Sequence, residues 1–362
     1  MGYHKYAPFT SKVPHCHVKI LIGKLHLEEH PEGDNSTLHE LPLIASTCNE
    51  GWGCIKSLHL ISDEQLPLPN RLELRYITIS DGRCYAIDTP LDTELCSKIW
   101  NEQQKKYPKD PFKDYIVGTG PFGYVAIWLH GSTCSKLLHS FRADEVELTE
   151  LEKDFYGWMS STGSLQFTSE EEMAELTQQY SYRYIVLEEY WDEEYQTWIE
   201  YDDDDPYYDD LDIESVEDRC SDGTFNYVRG NEELLKKHIS GTPQRITVRW
   251  HVGREDYMAH FWLREGFFLA LFGNFAKEFP DTCAEVHLRL DTRAQQYGIA
   301  FRCEGIPVDM PIPEFAYQLI VFKDGIEHYK SPNYKLEKGQ WSWLWRKKEK
   351  APETAQNGNG QQ

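Results

Sequence analysis

No stretch of this sequence is apolar for long enough to cross a membrane. The longest runs, such as Phe267–Phe272, fall far short of the roughly 20 residues a span requires. Met1 to Phe9 contain no apolar h-region, and Tyr6 stands where a myristoylation signal needs Ser or Thr. A cytoplasmic protein is therefore expected. No CxxC pair occurs among the nine cysteines, Cys16, Cys48, Cys54, Cys84, Cys96, Cys134, Cys220, Cys283 and Cys303. An odd number without pairing spacings predicts free thiols in a reducing compartment, used as small buried hydrophobes rather than as a disulfide framework. Positive charge is also scarce: 37 Lys and Arg stand against 60 Asp and Glu, a formal net charge of -23. That balance argues against direct binding to nucleic acid or an anionic membrane, and favours a basic partner or plain solubility.

Catalytic signatures are missing too. The chain has no GxSxG, Walker A or HExxH motif. Gly118-Thr-Gly-Pro-Phe-Gly123 satisfies GxGxxG on paper, but a dinucleotide fingerprint must open a helix. Here Pro121 interrupts the loop and Tyr124 to Leu129 continues as a strand, so a hairpin turn is expected. His26-Leu-Glu-Glu-His30 matches HxxEH, which needs both imidazoles one helical turn apart. The segment alternates like a strand and Pro31 follows at once, which puts the two rings roughly 13 Å apart. In His15-Cys16-His17 adjacent side chains of an extended chain point to opposite faces, so at most the two histidines could cooperate. No metal or cofactor is expected, and the protein is read as a non-enzyme; an enzyme with an unrecognised, metal-dependent site is the alternative.

What is present is enough for two domains of ordinary size, since 362 residues include 40% hydrophobic and 14% aromatic positions. His17–Leu27 and Arg71–Ile79 alternate as strands, and Asp81-Gly82 signals a hairpin into Cys84–Ile87. Asp92 or Thr93 can cap a helix to about Gln104, after which Tyr115–Val117, Tyr124–His130 and Lys136–Arg142 read as strands. The later half repeats the order. Strands at Arg245–Val252 and Tyr257–Leu263 precede an apolar helix, Gly266–Phe279, and further strands at Cys283–Leu290, Tyr297–Cys303 and Tyr317–Phe322. The expected fold is α+β, with two mainly antiparallel β-β-α-β-β modules, a candidate duplication, at 1–160 and 231–346. Between them, 161–230 would hold a helix at Ser169–Tyr180 and an acidic-aromatic connecting segment, and 347–362 a disordered tail. Trp341, Trp343 and Trp345 share one face of an extended chain, a core closure or an exposed ledge.

The strongest compositional signal runs from Glu188 to Asp218, which holds 16 acids and no Lys or Arg. Without it the chain is only mildly acidic. Solvating linkers seldom carry many large aromatics, yet Tyr190, Trp191, Tyr195, Trp198, Tyr207 and Tyr208 are interleaved here with Glu193, Glu194 and Asp202, Asp203, Asp204 and Asp205. Aromatics make interface anchors, and carboxylates around them steer a basic protein and raise its on-rate. These twelve residues are the candidate partner-binding set; aromatics packing back onto their own domain is the other reading. Calcium binding by 202–205 lacks the spacing of an EF-hand loop.

Asn49-Glu-Gly-Trp-Gly-Cys54, Leu66-Pro-Leu-Pro-Asn-Arg-Leu-Glu-Leu-Arg-Tyr76, Tyr85, and Ile116-Val-Gly-Thr-Gly-Pro-Phe-Gly-Tyr-Val-Ala-Ile-Trp-Leu129 together resemble a bacterial family, domain of unknown function 2931. There a GWG element, an LP-x-x-L strand and a VG-x-x-P-x-G-x-V-x-(V/I)-W-L hairpin recur in this order. The resemblance spans about residues 45–145 and lends no catalytic residues. Some members resemble immunity genes beside secreted antibacterial effectors, which implies an immunity-type inhibitor that binds a basic toxin or effector. Many relatives look like lipoproteins with a signal peptide, which this sequence lacks. A structural or scaffolding role is the third expectation.

Overall fold

The computed structural model describes residues 3–13, 16–27, 40–45, 52–53, 65–109, 111–132, 134–154, 157, 169–186, 189–200, 211–230, 239–303 and 310–332. The turn cluster at 31–35 and the tryptophans at 341, 343 and 345 lie outside the described residues.

Both hairpins expected in each half form, and the reason is local. Asp81-Gly82 turns Pro69–Thr78 into Arg83–Pro90, and Gly253-Arg-Glu turns Pro243–Val252 into Glu255–Leu263. Helix α1, Thr93–Lys106, starts where the Asp92 carboxylate accepts the Leu95 N–H at 2.9 Å. It buries Cys96, Trp100 and Gln103, spaced four and three residues apart on one face. Helix α2 is shorter than expected, Glu170–Leu176. Helix α3, Glu265–Glu278, buries Phe268, Leu269, Phe272 and Phe275 and ends just before Pro280.

The α+β expectation is corrected by the sheets. The chain is mostly β: large multi-strand sheets dominate, and these helices are a minor part of the fold. Eleven strands form one sheet in the order Ile326–Lys330, Tyr317–Lys323, Glu255–Leu263, Pro243–Val252, Leu211–Cys220, Phe225–Arg229, Ser135–Arg142, Tyr124–His130, Asp114–Thr119, Ala7–Lys12, Ile44–Ala45. Ala7–Lys12 runs parallel to both neighbours; the other pairs are antiparallel. A five-stranded sheet holds Asp144–Val146, Arg83–Pro90, Pro69–Thr78, Val18–Leu27 and Glu40–Pro42. Another holds Ile239–Gly241, Tyr180–Val186, Ala284–Asp291, Gln296–Cys303 and Met310–Pro311.

The β-β-α-β-β order is therefore present, but the halves are not two balanced modules. In the first half the second hairpin joins the long sheet; in the later half the first hairpin does. Leu211–Cys220, in the acidic stretch, is an interior strand of that sheet, paired on both sides.

Three apolar clusters fill the space between layers. One belongs to the first half, one to the later half together with Tyr182, Tyr184, Ile213 and Val216, and a third lies around Trp52, Trp128, Met173 and Leu269. Tyr124–His130 has apolar residues on both faces because both are covered: Val125, Ile127 and Leu129 face the first cluster, Ala126 and Trp128 the third. Six cysteines with described side chains, Cys16, Cys84, Cys96, Cys134, Cys220 and Cys283, are free and buried.

His260 shows how the long sheet responds to acid. It stands opposite Thr247, whose Oγ1 lies 2.9 Å from its Nδ1. Burial, helped by Arg245 and Arg249, pushes its pKa down to about 4. Unfolded, the ring titrates near 6.5, so between about pH 6.5 and 4 the unfolded chain takes up a proton that the fold refuses. Stability from this group is full above about pH 6.5 and falls on acidification, by about 3 kcal/mol at pH 4. Buried Asp114, pushed up to about 6, acts with the opposite sign, so His260→Gln must be compared with the parent at each pH. Urea denaturation from pH 7 to 4 should show the variant losing less stability than the parent; parallel curves would refute this.

Candidate partner-binding hairpin

The described part of the acidic-aromatic stretch that precedes the interior strand is an ordered β-hairpin. Glu189–Asp192 pairs with Thr197–Glu200, which puts Tyr190 opposite Ile199 and Trp191 opposite Trp198. The tryptophan rings meet edge to face, centroids 5.7 Å apart. Asp192 builds the turn: its Oδ1 accepts the N–H groups of Glu194 at 2.8 Å and Tyr195 at 2.9 Å. Gln196 closes the turn in the left-handed region, φ 52°, and its side chain donates to the Glu193 carbonyl at 2.7 Å.

Three contacts fasten this hairpin to the sheet strand Ala284–Asp291. The Asp291 carboxylate accepts the Trp191 N–H at 2.8 Å, while its other oxygen accepts N–H groups of Arg293 and Ala294 at 2.9 and 3.0 Å. Arg289 ion-pairs with Glu189 at 2.7 Å and places its guanidinium 5.6 Å from the Trp198 ring centre. The first pair also relieves the repulsion of Glu189 and Glu200, which stand directly opposite one another.

The candidate residues thus divide. Tyr190, Trp191 and Trp198 are half-buried, and Trp191, through its N–H, and Trp198, through its ring, tie the hairpin to its own domain. Glu193, Glu194 and Tyr195 are exposed at the tip, Tyr195 by 69%. Asp202, Asp203, Asp204, Asp205, Tyr207 and Tyr208 lie outside the described residues. The acids beyond them serve the sheet: Glu217 faces Arg249 at 4.0 Å, and Glu214 faces His251 at 3.9 Å. Asp218, 1% exposed, accepts the hydroxyls of Tyr182 and, at 3.0 Å, Tyr184. Burial first, and this carboxyl second, raise both phenols well above their ordinary pKa. The supports Asp291 and Arg289 were not legible, because every residue of Ala284–Asp291 is buried and nothing local sets those two apart.

The other motifs resolve structurally. Gly118 to Gly123 is a hairpin turn as expected, and the Phe122 N–H donates to the Asp81 carboxylate at 2.7 Å, leaving that amide no part in a phosphate cradle. His26 lies in a strand, 3.1 Å from Glu73 and 3.6 Å from Glu40, while His15 and His30 lie outside the described residues. Among the described residues no three His, Cys, Asp or Glu are grouped to hold a metal ion, and no helix is long and apolar enough to cross a membrane.

Residues 15–185 match the family model of a protein of unknown function, DUF2931. The family implied by the motifs at 45–145 is thereby found over a longer segment. Neither curated proteins nor solved structures gave a match. Inside the DUF2931 region the motif residues do a packing job. Trp52 and Trp128 meet edge to face at 5.3 Å, directly over Gly118, where a Cβ would come within 2.4 Å of both rings. Trp128 Nε1 donates to the Asp222 carbonyl at 3.1 Å, and Gly223, at φ 84°, abuts the Trp52 backbone. The DUF2931 motif thus meets a turn that lies beyond the matched segment.

Proposed function

We propose that this chain is a non-catalytic binding protein, an immunity-type inhibitor that acts in the cytoplasm by binding a basic toxin or effector directly. The observation that carries this reading is the hairpin tip. Glu193 and Glu194 present two exposed carboxylates beside an exposed tyrosine ring, on a turn fixed by Asp192 and a base fixed by Asp291 and Arg289. A preformed tip binds with less ordering cost than a flexible one, and a tyrosine ringed by charge suits both anchoring and steering. The aspartates 202–205 follow directly in sequence and add to the negative field. The family resemblance supplies the immunity context.

The test is the product of the neighbouring gene, if basic, measured by surface plasmon resonance against the parent and Glu193→Lys/Glu194→Lys/Tyr195→Ala. The variant should bind at least about tenfold more weakly, mainly through a slower on-rate, with a flatter salt dependence. An unchanged on-rate would remove the hairpin from the mechanism, and failure to protect cells from that product would remove the immunity reading.

A further inference from the structure

The hairpin at 189–200 is fastened along one edge. In an antiparallel pair, residues standing opposite alternate between exchanging backbone hydrogen bonds and turning those groups outward. The Trp191 N–H leaves the hairpin for the Asp291 carboxylate, so Trp191 and Trp198 are an outward-turned pair. Two residues away, Glu189 and Glu200 are the next such pair. On Glu189–Asp192 this outward edge faces Asp291. On Thr197–Glu200 the N–H and C=O groups of Trp198 and Glu200 point the other way, and among the described residues no further strand pairs with them. Thr197 and Glu200, at the two ends of this edge, are exposed.

Such a row of donors and acceptors invites another strand, and folded proteins blunt it with shortness, proline, lysine or a bulge. The outermost strands of the larger sheets are blunted in these ways. Ile44–Ala45 has two residues, and Asp144–Val146 and Ile239–Gly241 have three each. Glu40–Pro42 and Met310–Pro311 end in proline, and Ile326–Lys330 carries a register shift and a terminal lysine. Thr197–Glu200 contains no proline, lysine or register shift, and its Thr-Trp-Ile run favours the extended state. The charge around it selects what can pair. A second copy would bring Glu193, Glu194 and Glu200 up to like charges, whereas a basic strand meets them with opposite charge.

We propose that the edge Thr197–Glu200 takes its partner by strand addition. An extended basic segment pairs with the backbone of Trp198 and Glu200, and its Lys or Arg side chains meet Glu200 and the tip carboxylates. This rests on the reading of the hairpin as the docking site, and adds a backbone contact to the side-chain contacts of the tip.

The probe is acetyl-Lys-Val-Lys-Val-Lys-Val-Lys-amide, titrated into the full chain carrying nitrogen-labelled tryptophan and followed by NMR, with the Glu-for-Lys peptide as control. The Trp198 backbone amide, assigned by its loss in Trp198→Phe, should shift downfield saturably with a Kd of about 1 mM. The Trp191 amide, bonded to Asp291, should move little. The Glu peptide should bind at least about tenfold more weakly. Glu200→Pro removes one outward N–H at a kind of position where edge strands accept proline. It should weaken the Lys peptide about threefold to tenfold relative to Glu200→Ala, which loses the same charge and keeps the N–H. An unmoved Trp191 amide shows that the variant hairpin is intact; if proline disturbs it, slowed solvent exchange of the parent's Trp198 amide on adding peptide decides instead. No saturable Trp198 shift by about 10 mM peptide, equal affinity for the two peptides, or equal affinity in two intact Glu200 variants would overturn strand addition. The two readings fail separately: a basic product that binds parent and Glu200→Pro equally, but not the tip variant, keeps the tip and overturns the edge.

Discussion

Trp128→Ala is expected to cost about 3 to 5 kcal/mol of stability, much of what a domain of this kind has to lose. Trp128 is fully buried, and its removal opens a cavity between Gly118, Trp52 and Gly223 that backbone alone cannot fill. It also deletes the donor to the Asp222 carbonyl, a contact that joins the DUF2931 region to the later half. Trp128→Phe separates the two effects, since it keeps an aromatic ring and loses the N–H. Equilibrium urea unfolding should show a smaller loss for Phe, of about 1 to 3 kcal/mol. Gly118→Ala should destabilise as well, because its methyl would overlap both tryptophan rings. If Trp128→Ala unfolds within about 1 kcal/mol of the parent, the tryptophan pair is not the join described above.

That join explains why parts of the fold were readable and others were not. Hairpins and capped helices announce themselves locally: Asp81-Gly82 marks a turn, and Asp92 marks the start of α1. Leu211–Cys220 gives no such notice. Ile213 is buried on one phase of the alternation and Val216, Asp218 and Cys220 on the other, because the pairing shifts between Ile213 and Ser215. A shifted alternation with four acids among ten residues reads as a solvated linker rather than a strand. Ala7–Lys12 is hidden for another reason: its partner, Asp114–Thr119, is about a hundred residues away, and nothing local encodes that pairing. The hairpin at 189–200 was legible as composition, not as structure. Composition groups its aromatics together, whereas Trp191 and Trp198 pair on one face of the hairpin, Tyr190 lies on the other, and Tyr195 is exposed at the turn.

The division of acids within the stretch yields the second large effect. Asp218→Ala should cost about 2 to 5 kcal/mol, because it leaves the buried Tyr184 hydroxyl without its acceptor and the Tyr182 hydroxyl with only the weak Cys220 thiol, each unsatisfied group being worth about 1 to 3 kcal/mol. Asp218→Asn keeps an acceptor and should cost less. Replacing the whole cluster with apolar residues, Asp218→Leu with Tyr182→Phe and Tyr184→Phe, should recover most of the loss, since no polar group is then left without a partner. Denaturant midpoints of the three variants decide the matter. A triple variant as unstable as Asp218→Ala would mean that the carboxyl does something beyond accepting the two phenols. By contrast Glu193→Gln/Glu194→Gln, at the exposed hairpin tip, should leave the midpoint within about 0.5 kcal/mol. Charges that look equivalent in the sequence should thus separate by measurement: Asp218 accepts hydroxyls inside the later core, whereas Glu193 and Glu194 are exposed at a hairpin tip.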